Sequence, residues 1–279
     1  MLAHFKVRLG GWSVVRPLSA KYGYENGGAA GRTSMSDRIH ISYFSDVLCV
    51  WAYVAQIRLD ELENQFGSEI ELTQHFIPIF GSTAHRIGVG WEDRGGFPGY
   101  REHVHEICRE FPHVDLSPDA WTKTIPTSSA VSHHFIKAVQ LLEVDGEIGS
   151  ETDGASDGGT DGSADEPASG RRVSEVLALR ARRSFFRDGE DISDMDRLLA
   201  LAEEMALPIG AIERKLNGGE AMAALCRDVE LRDEYKVEGS PTYVLNQGRQ
   251  KLYGNLGYRI IEANVQEILS RPDHQASWC

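Results

Sequence analysis

Cysteine is scarce in this chain: four residues among 279 (Cys49, Cys108, Cys226 and Cys279), with no Cys-x-x-Cys pair. That spacing excludes the disulfide framework of a small extracellular domain and points to free thiols of a reducing cytosol, so a cytoplasmic location is expected. Long apolar runs are missing as well. The longest near-apolar stretch, Val47 to Ala55, is about half the roughly 18 residues a membrane span needs, so no membrane partner is expected. Lysine is sparse beside arginine, and all cations together number 29 against 42 acidic residues, a formal net charge of −13. Nucleic-acid affinity depends on clustered cations, so this acidic protein is not expected to bind nucleic acid. The sequence also lacks a phosphate-cradling Gly-Lys-Ser/Thr loop, a dinucleotide fingerprint, a Gly-x-Ser-x-Gly elbow, and any repeat of about 20 to 50 residues.

What is present is globular in composition, 41% apolar and 25% charged. Residues 1–37 carry Lys6, Arg8, Arg16, Lys21 and Arg32 against only two acids and show no periodicity. They read as a disordered or over-long N-terminal extension, with translation starting at Met35. Residues 145–170 are built of Gly, Ser, Asp, Glu and Thr with almost nothing apolar to bury, and are expected to form a disordered acidic loop. The remaining boundaries are a first half at 38–80, a helical lobe at 81–236, a second half at 237–271 and a tail at 272–279.

Alternation predicts strands at Ile39–Phe44 and Ile70–Ile77 around one helix from about Cys49 to Phe66, a βαβ unit. From Gly81 to about Tyr235 the pattern reads as helical throughout. Strands at Pro241–Leu245 and Gln250–Tyr253 then form a hairpin, followed by a helix at Arg259–Leu269. The order β-α-β, helical insertion, β-β-α is an α/β fold with an all-helical second lobe.

The sharpest chemical feature is Ser45-Asp46-Val47-Leu48-Cys49, where a strand gives way to a helix with a cysteine in its first turn. Unsatisfied N–H groups and the positive end of the helix dipole favour a thiolate there, so Cys49 is expected to ionise below the free-thiol value of about 8.5. The commoner fate of a lone cysteine, a buried small apolar side chain, is the alternative. A second feature is Ser240-Pro241 directly before an apolar strand, where proline is tolerated at the strand start.

Together these residues resemble the thioredoxin fold, and the helical insertion between its halves resembles the DsbA-like branch. The likeness is closest to kappa-class glutathione transferases and 2-hydroxychromene-2-carboxylate isomerases. Asp46-Val47-Leu48-Cys49 is similar to their Asp-Val-Leu-Ser, in which the serine meets the glutathione sulfur. Glu190-Asp191-Ile192 followed by Leu198 to Glu204 is similar to a second motif of theirs. The resemblance covers roughly residues 39 to 270. It implies that Cys49 is an attacking thiolate, that the Ser240-Pro241 bond is cis, and that the Ser240 backbone pairs with a thiol-bearing substrate. It also implies a thiol-holding role for Asn255 in the Gly254–Gly257 loop; helix capping is the plainer reading of that residue.

The departure from the dithiol pattern is Ala52, which stands where a resolving cysteine would be. Exchange is then monothiol, resolved by a low-molecular-weight thiol such as glutathione or by another cysteine, Cys279 being the most mobile. Trp51 and Tyr53 flank the nucleophile as groove walls or as core. No metal site is expected: at helical spacing His103 and His105 diverge, leaving only His105 and Cys108 on one face. No tightly bound cofactor is expected either, and a homodimer is among the expectations from the resemblance.

Three functional readings follow. The leading one is a DsbA-family thiol oxidoreductase acting on a small-molecule or protein disulfide through Cys49 alone. The second is a kappa-like thiol transferase or chromene-carboxylate-type isomerase. The third is a redox-silent binding module, which a Cys49 pKa at or above about 8.5 would favour.

Overall fold

The computed structural model describes residues 38–149 and 171–270. The expectations for residues 1–37, for most of the acidic loop and for the tail with Cys279 fall outside the described residues. Strand β1 (Ile39–Ser45) leads into α1 (Val50–Val54) and α2 (Gln56–Phe66), and β2 (Ile70–Phe76) returns parallel to β1 with Ile41 opposite Leu72. The second half supplies β3 (Thr242–Leu245), β4 (Gln250–Tyr253) and α9 (Tyr258–Ser270). The sheet order is β2-β1-β3-β4, with β3 antiparallel to both neighbours.

Period-two alternation puts Ile41, Tyr43, Leu72, Tyr243 and Leu245 on one sheet face. They pack against Leu59, Leu62 and Phe66 of α2 and Ile261, Val265 and Ile268 of α9. Between the halves lie α3 (Gly96–Arg109), α4 (Ser129–Val144), α5 (Val173–Phe186), α6 (Met195–Glu204), α7 (Ile209–Asn217) and α8 (Glu220–Glu234). Buried α4 is the lobe's centre and packs on α5, α7 and α8.

Two expectations need correction. The helix expected from Cys49 to Phe66 is broken at Ala55. In an unbroken helix the Arg58 N–H would bond to the Val54 carbonyl, but the His113 ring occupies that carbonyl (Nε2 to O, 3.0 Å) and Arg58 N–H turns to Ala55 O (2.9 Å). A side chain inserted into the ladder is an established cause of a kink. Nor is the lobe helical throughout: residues 111–128 are irregular, and Ala84–Val89 is a turn of π-helix.

The lobe is tied to the sheet by Asp228 of α8, which is 1% exposed. Its carboxylate accepts from the Phe76 N–H (2.7 Å) and from His75 Nδ1 (2.8 Å), and lies 2.9 Å from Lys137 Nζ of α4. Burial pushes this carboxyl up, but Lys137 and His75 outweigh it and hold it below the usual range. Asp228→Ala would leave the Lys137 ammonium and an N–H without their partner. The expected loss is about 3 to 5 kcal/mol in urea unfolding, partly recovered when Lys137→Met removes the stranded charge.

Candidate active site at the start of the first helix

Between β1 and α1 the chain turns on one carboxylate. Asp46 is fully buried. Its Oδ1 accepts from the Leu48 N–H two residues on (2.8 Å), an Asx-turn. Its Oδ2 accepts from the Phe80 N–H (2.9 Å) and from the Ser129 hydroxyl at the start of α4 (2.8 Å). The Asp46 N–H donates to the Ser240 hydroxyl (3.0 Å). One residue thus joins the βαβ half, the lobe and the Ser240-Pro241 segment.

His133 of α4 completes the turn. Its Nε2 accepts from the Val47 N–H (3.1 Å) and lies 3.6 Å from Asp46 Oδ1. That nitrogen is therefore unprotonated and the ring proton sits on Nδ1. Burial, opposed by the Asp46 charge, pushes the His133 pKa down to about 4. Nearby Arg182 of α5 is also fully buried and donates to the Ser45 hydroxyl (2.7 Å).

Cys49 caps α1, and its thiol donates to the Ser240 carbonyl (3.3 Å). The Ser240-Pro241 bond is cis, in keeping with what the resemblance implies. The Pro241 carbonyl accepts from the Gly254 N–H (2.9 Å) and the Gly239 carbonyl from the Thr242 hydroxyl (2.7 Å), which fixes the loop. The Ser240 N–H has no partner among the described residues.

The thiol does not ionise as expected. Cys49 is 7% exposed. Burial pushes its pKa up, with Asp46 adding to the rise, against lowering by the Ser240 side chain and the N–H groups of Ala52 and Trp51. The helix behind the cysteine is only five residues long, so its dipole is small and the first-turn N–H groups act almost alone. In the resting chain Cys49 is a protonated donor, the condition attached to the binding-module reading.

The other expected residues divide. Ala52 is fully buried beside the sulfur, and Trp51 is half-buried with its ring edge-on to Phe111 (6.3 Å). Tyr53 belongs to the core, stacked on Phe186 (4.8 Å) with its hydroxyl on the Asp115 carbonyl. Asn255 is exposed one residue beyond the Gly254 contact and does not cap α9, where Ile260 N–H bonds to the Gly257 carbonyl (3.0 Å). Cys108 is buried on α3, its thiol pushed up to about 11 by burial, and Cys226 is exposed on α8. His103 packs its ring against Trp91 (5.1 Å), and no group of three or more metal-ligating side chains is assembled among the described residues.

Sequence reasoning missed the anchoring role of Asp46 and its partners Phe80, Ser129 and His133. An aspartate at a strand end with an amide two residues on is a readable Asx signal. Nothing local marks the other three.

A thioredoxin-type sheet, split by a helical lobe, with a cysteine at the first helix facing a cis-proline, is the DsbA-like thioredoxin fold. No family model matches the sequence, and no curated protein matches it. Solved structures do. A Nitrosomonas europaea chain provisionally assigned as a protein disulfide isomerase superposes with a TM-score of 0.60 at 12% identity, covering 85% of this chain and 100% of that one. A 2-hydroxychromene-2-carboxylate isomerase gives 0.52 at 14%, over 85% and 100%. The cytosolic disulfide reductase DsbM of Pseudomonas aeruginosa, solved with GSH, gives 0.52 at 17%, over 81% and 99%. At these identities the likeness is one of fold. No helix among the described residues is long and apolar enough to cross a membrane.

The His133 environment sets a pH dependence. Its folded pKa of about 4 lies below the unfolded value of about 6.5, so between these limits the unfolded chain binds the extra proton. The contribution of His133 to stability should therefore fall as pH drops from about 6.5 towards 4 and be constant above 6.5. Denaturant midpoints of the wild type and of His133→Gln, which keeps an acceptor for the Val47 N–H, should differ in slope across that range, the wild type losing more stability towards pH 4.

Proposed function

We propose that the chain is a cytoplasmic thiol-dependent oxidoreductase in which Cys49 is the single attacking thiol and glutathione or an equivalent small thiol completes the cycle. The observation that carries this reading is the Cys49 sulfur at the head of α1, 3.3 Å from the Ser240 carbonyl beside the cis Pro241 bond. The raised thiol is a property of the resting site, where the proton is held by that carbonyl. A substrate backbone that pairs with the free Ser240 N–H also competes for the Ser240 carbonyl. The Cys49 proton then loses its acceptor and leaves to solvent, and the N–H groups of Trp51 and Ala52 remain for the thiolate.

The thiolate attacks one sulfur of the substrate disulfide. A bond from Cys49 to that sulfur forms, the S–S bond breaks, and its electron pair leaves on the other sulfur, which takes up a proton. With Ala52 in place of a second cysteine, a small thiol attacks the substrate sulfur of the adduct, freeing Cys49 and carrying the substrate half away as a mixed disulfide. The half-exposed Trp51 borders the approach to the sulfur, and Asn255 stands beyond the cis-proline loop as a further contact for the thiol. The neighbouring DsbM structure with GSH supports a thiol partner.

The second reading has its own support in the protonated Cys49. A neutral S–H in the serine position of the kappa-like pattern donates a hydrogen bond to the sulfur of a bound thiol, which then adds reversibly to an electrophile.

Mass spectrometry after incubation with oxidised glutathione separates these. One glutathione bound at Cys49 is expected, lost in Cys49→Ser, with alkylation of the resting thiol rising only above the free-thiol pKa of about 8.5. Thiol-dependent turnover of an electrophile that survives Cys49→Ser would instead establish the second reading. An unmodified wild-type Cys49 with no turnover would leave a binding module.

A further inference from the structure

Tyr253 ends β4, the edge strand beside β3, and is 57% exposed. Exposure alone says little, since single apolar side chains are common on protein surfaces. What sets Tyr253 apart is the backbone its ring rests on. A Cβ added to buried Gly239 would stand 2.8 Å from the Tyr253 Cε2 and 2.8 Å from its hydroxyl oxygen. The Gly239 backbone is not left-handed, so glycine is needed there for the approach of the ring and not for a turn. The hairpin explains the contact. Tyr253 stands opposite Thr242, so their side chains share a face of the sheet, and the Thr242 hydroxyl holds the Gly239 carbonyl (2.7 Å) on that face. The Gly254 N–H, next to Tyr253, holds the Pro241 carbonyl (2.9 Å). An open aromatic ring is thus seated on the residue before Ser240, whose N–H has no partner among the described residues and whose carbonyl takes the Cys49 thiol proton (3.3 Å).

We propose that Tyr253 is a specificity-determining residue whose exposed ring packs on the peptide backbone of a substrate drawn up against Ser240, the substrate class being a peptidyl thiol or disulfide. The proposal rests on the reading that the Ser240 backbone pairs with a thiol-bearing substrate. A chain that pairs with the Ser240 N–H runs past Gly239 as well, and Gly239 has no side chain to hold it off. The side chain it meets there is Tyr253. An aromatic face buries a large area for the loss of only two rotatable bonds, which suits a contact that exists only while substrate is bound. The ring acts by contact and takes no part in the exchange of protons or electrons at Cys49.

The probe is S-methylglutathione, a peptide whose capped sulfur cannot exchange. Titrated into isotope-labelled protein and followed by NMR, it should shift the Ser240 amide signal. Tyr253→Ala should weaken its binding about threefold to tenfold, the size of one aromatic contact, and Tyr253→Phe, which keeps the ring, should bind it as the wild type does. An unmoved Ser240 signal in the wild type overturns the proposal. So does equal affinity in the wild type and Tyr253→Ala, or a loss in Tyr253→Phe as large as in Tyr253→Ala. Because the probe carries no free thiol, a wild type that binds it yet forms no glutathione adduct at Cys49 counts against the exchange reading and not against Tyr253. If Tyr253→Ala does not fold cooperatively, Gly239→Ala replaces it. The added methyl pushes the ring off its seat and should weaken the probe by a similar factor; unchanged affinity overturns the proposal.

Discussion

The structure depends on a carboxylate hidden where a strand becomes a helix. Asp46 holds the Leu48 N–H of its own turn, the Phe80 N–H after β2 and the Ser129 hydroxyl of α4, while its own N–H holds Ser240. Each contact satisfies a polar group that burial would otherwise leave stranded, and together they bring segments far apart in sequence to the same few ångströms. The position of the Cys49 sulfur is a consequence. With Asp46 fixed, the Cys49 N–H reaches back to the Asp46 carbonyl (3.1 Å) and α1 starts in register with the cis-proline loop.

Burial is the main reason the site is quiet at rest, and the anchor adds to it: the charge that holds the turn also repels a thiolate three residues on. The short α1, cut by the His113 contact at Val54, has too little dipole to reverse the balance. Any chemistry at this sulfur therefore waits on whatever displaces its proton from the Ser240 carbonyl.

Much of the architecture was legible in the sequence because it rests on local pattern. The alternation in Ile39–Ser45 and Ile70–Phe76 and the hairpin of Thr242–Leu245 with Gln250–Tyr253 are short-range signals, and these elements lie within a few residues of their expected bounds. The break at Ala55 was not legible, because its cause is a histidine 59 residues from Val54 in sequence. Of the site, Cys49, Ser240 and Pro241 could be read from a helix start and a Ser-Pro before a strand. The direction of the thiol's ionisation could not, since desolvation is set by the lobe packed over the turn. The anchoring roles of His133 and Phe80 were invisible for the same reason: each reaches the site from the lobe or its connection.

The buried ionic groups have a consequence for how the protein meets its solvent. Asp46 with Arg182, and Asp228 with Lys137, put two negative and two positive groups into the seam between lobe and sheet, all shielded from water. Their sum is zero, so the formal excess of −13 belongs to the rest of the chain. Dissolved ions screen charges they can surround and leave enclosed ones almost untouched. Concentrated electrolyte therefore relaxes the mutual repulsion of the outer carboxylates while the seam keeps its full strength, which separates tolerance of brine from the integrity of the interior.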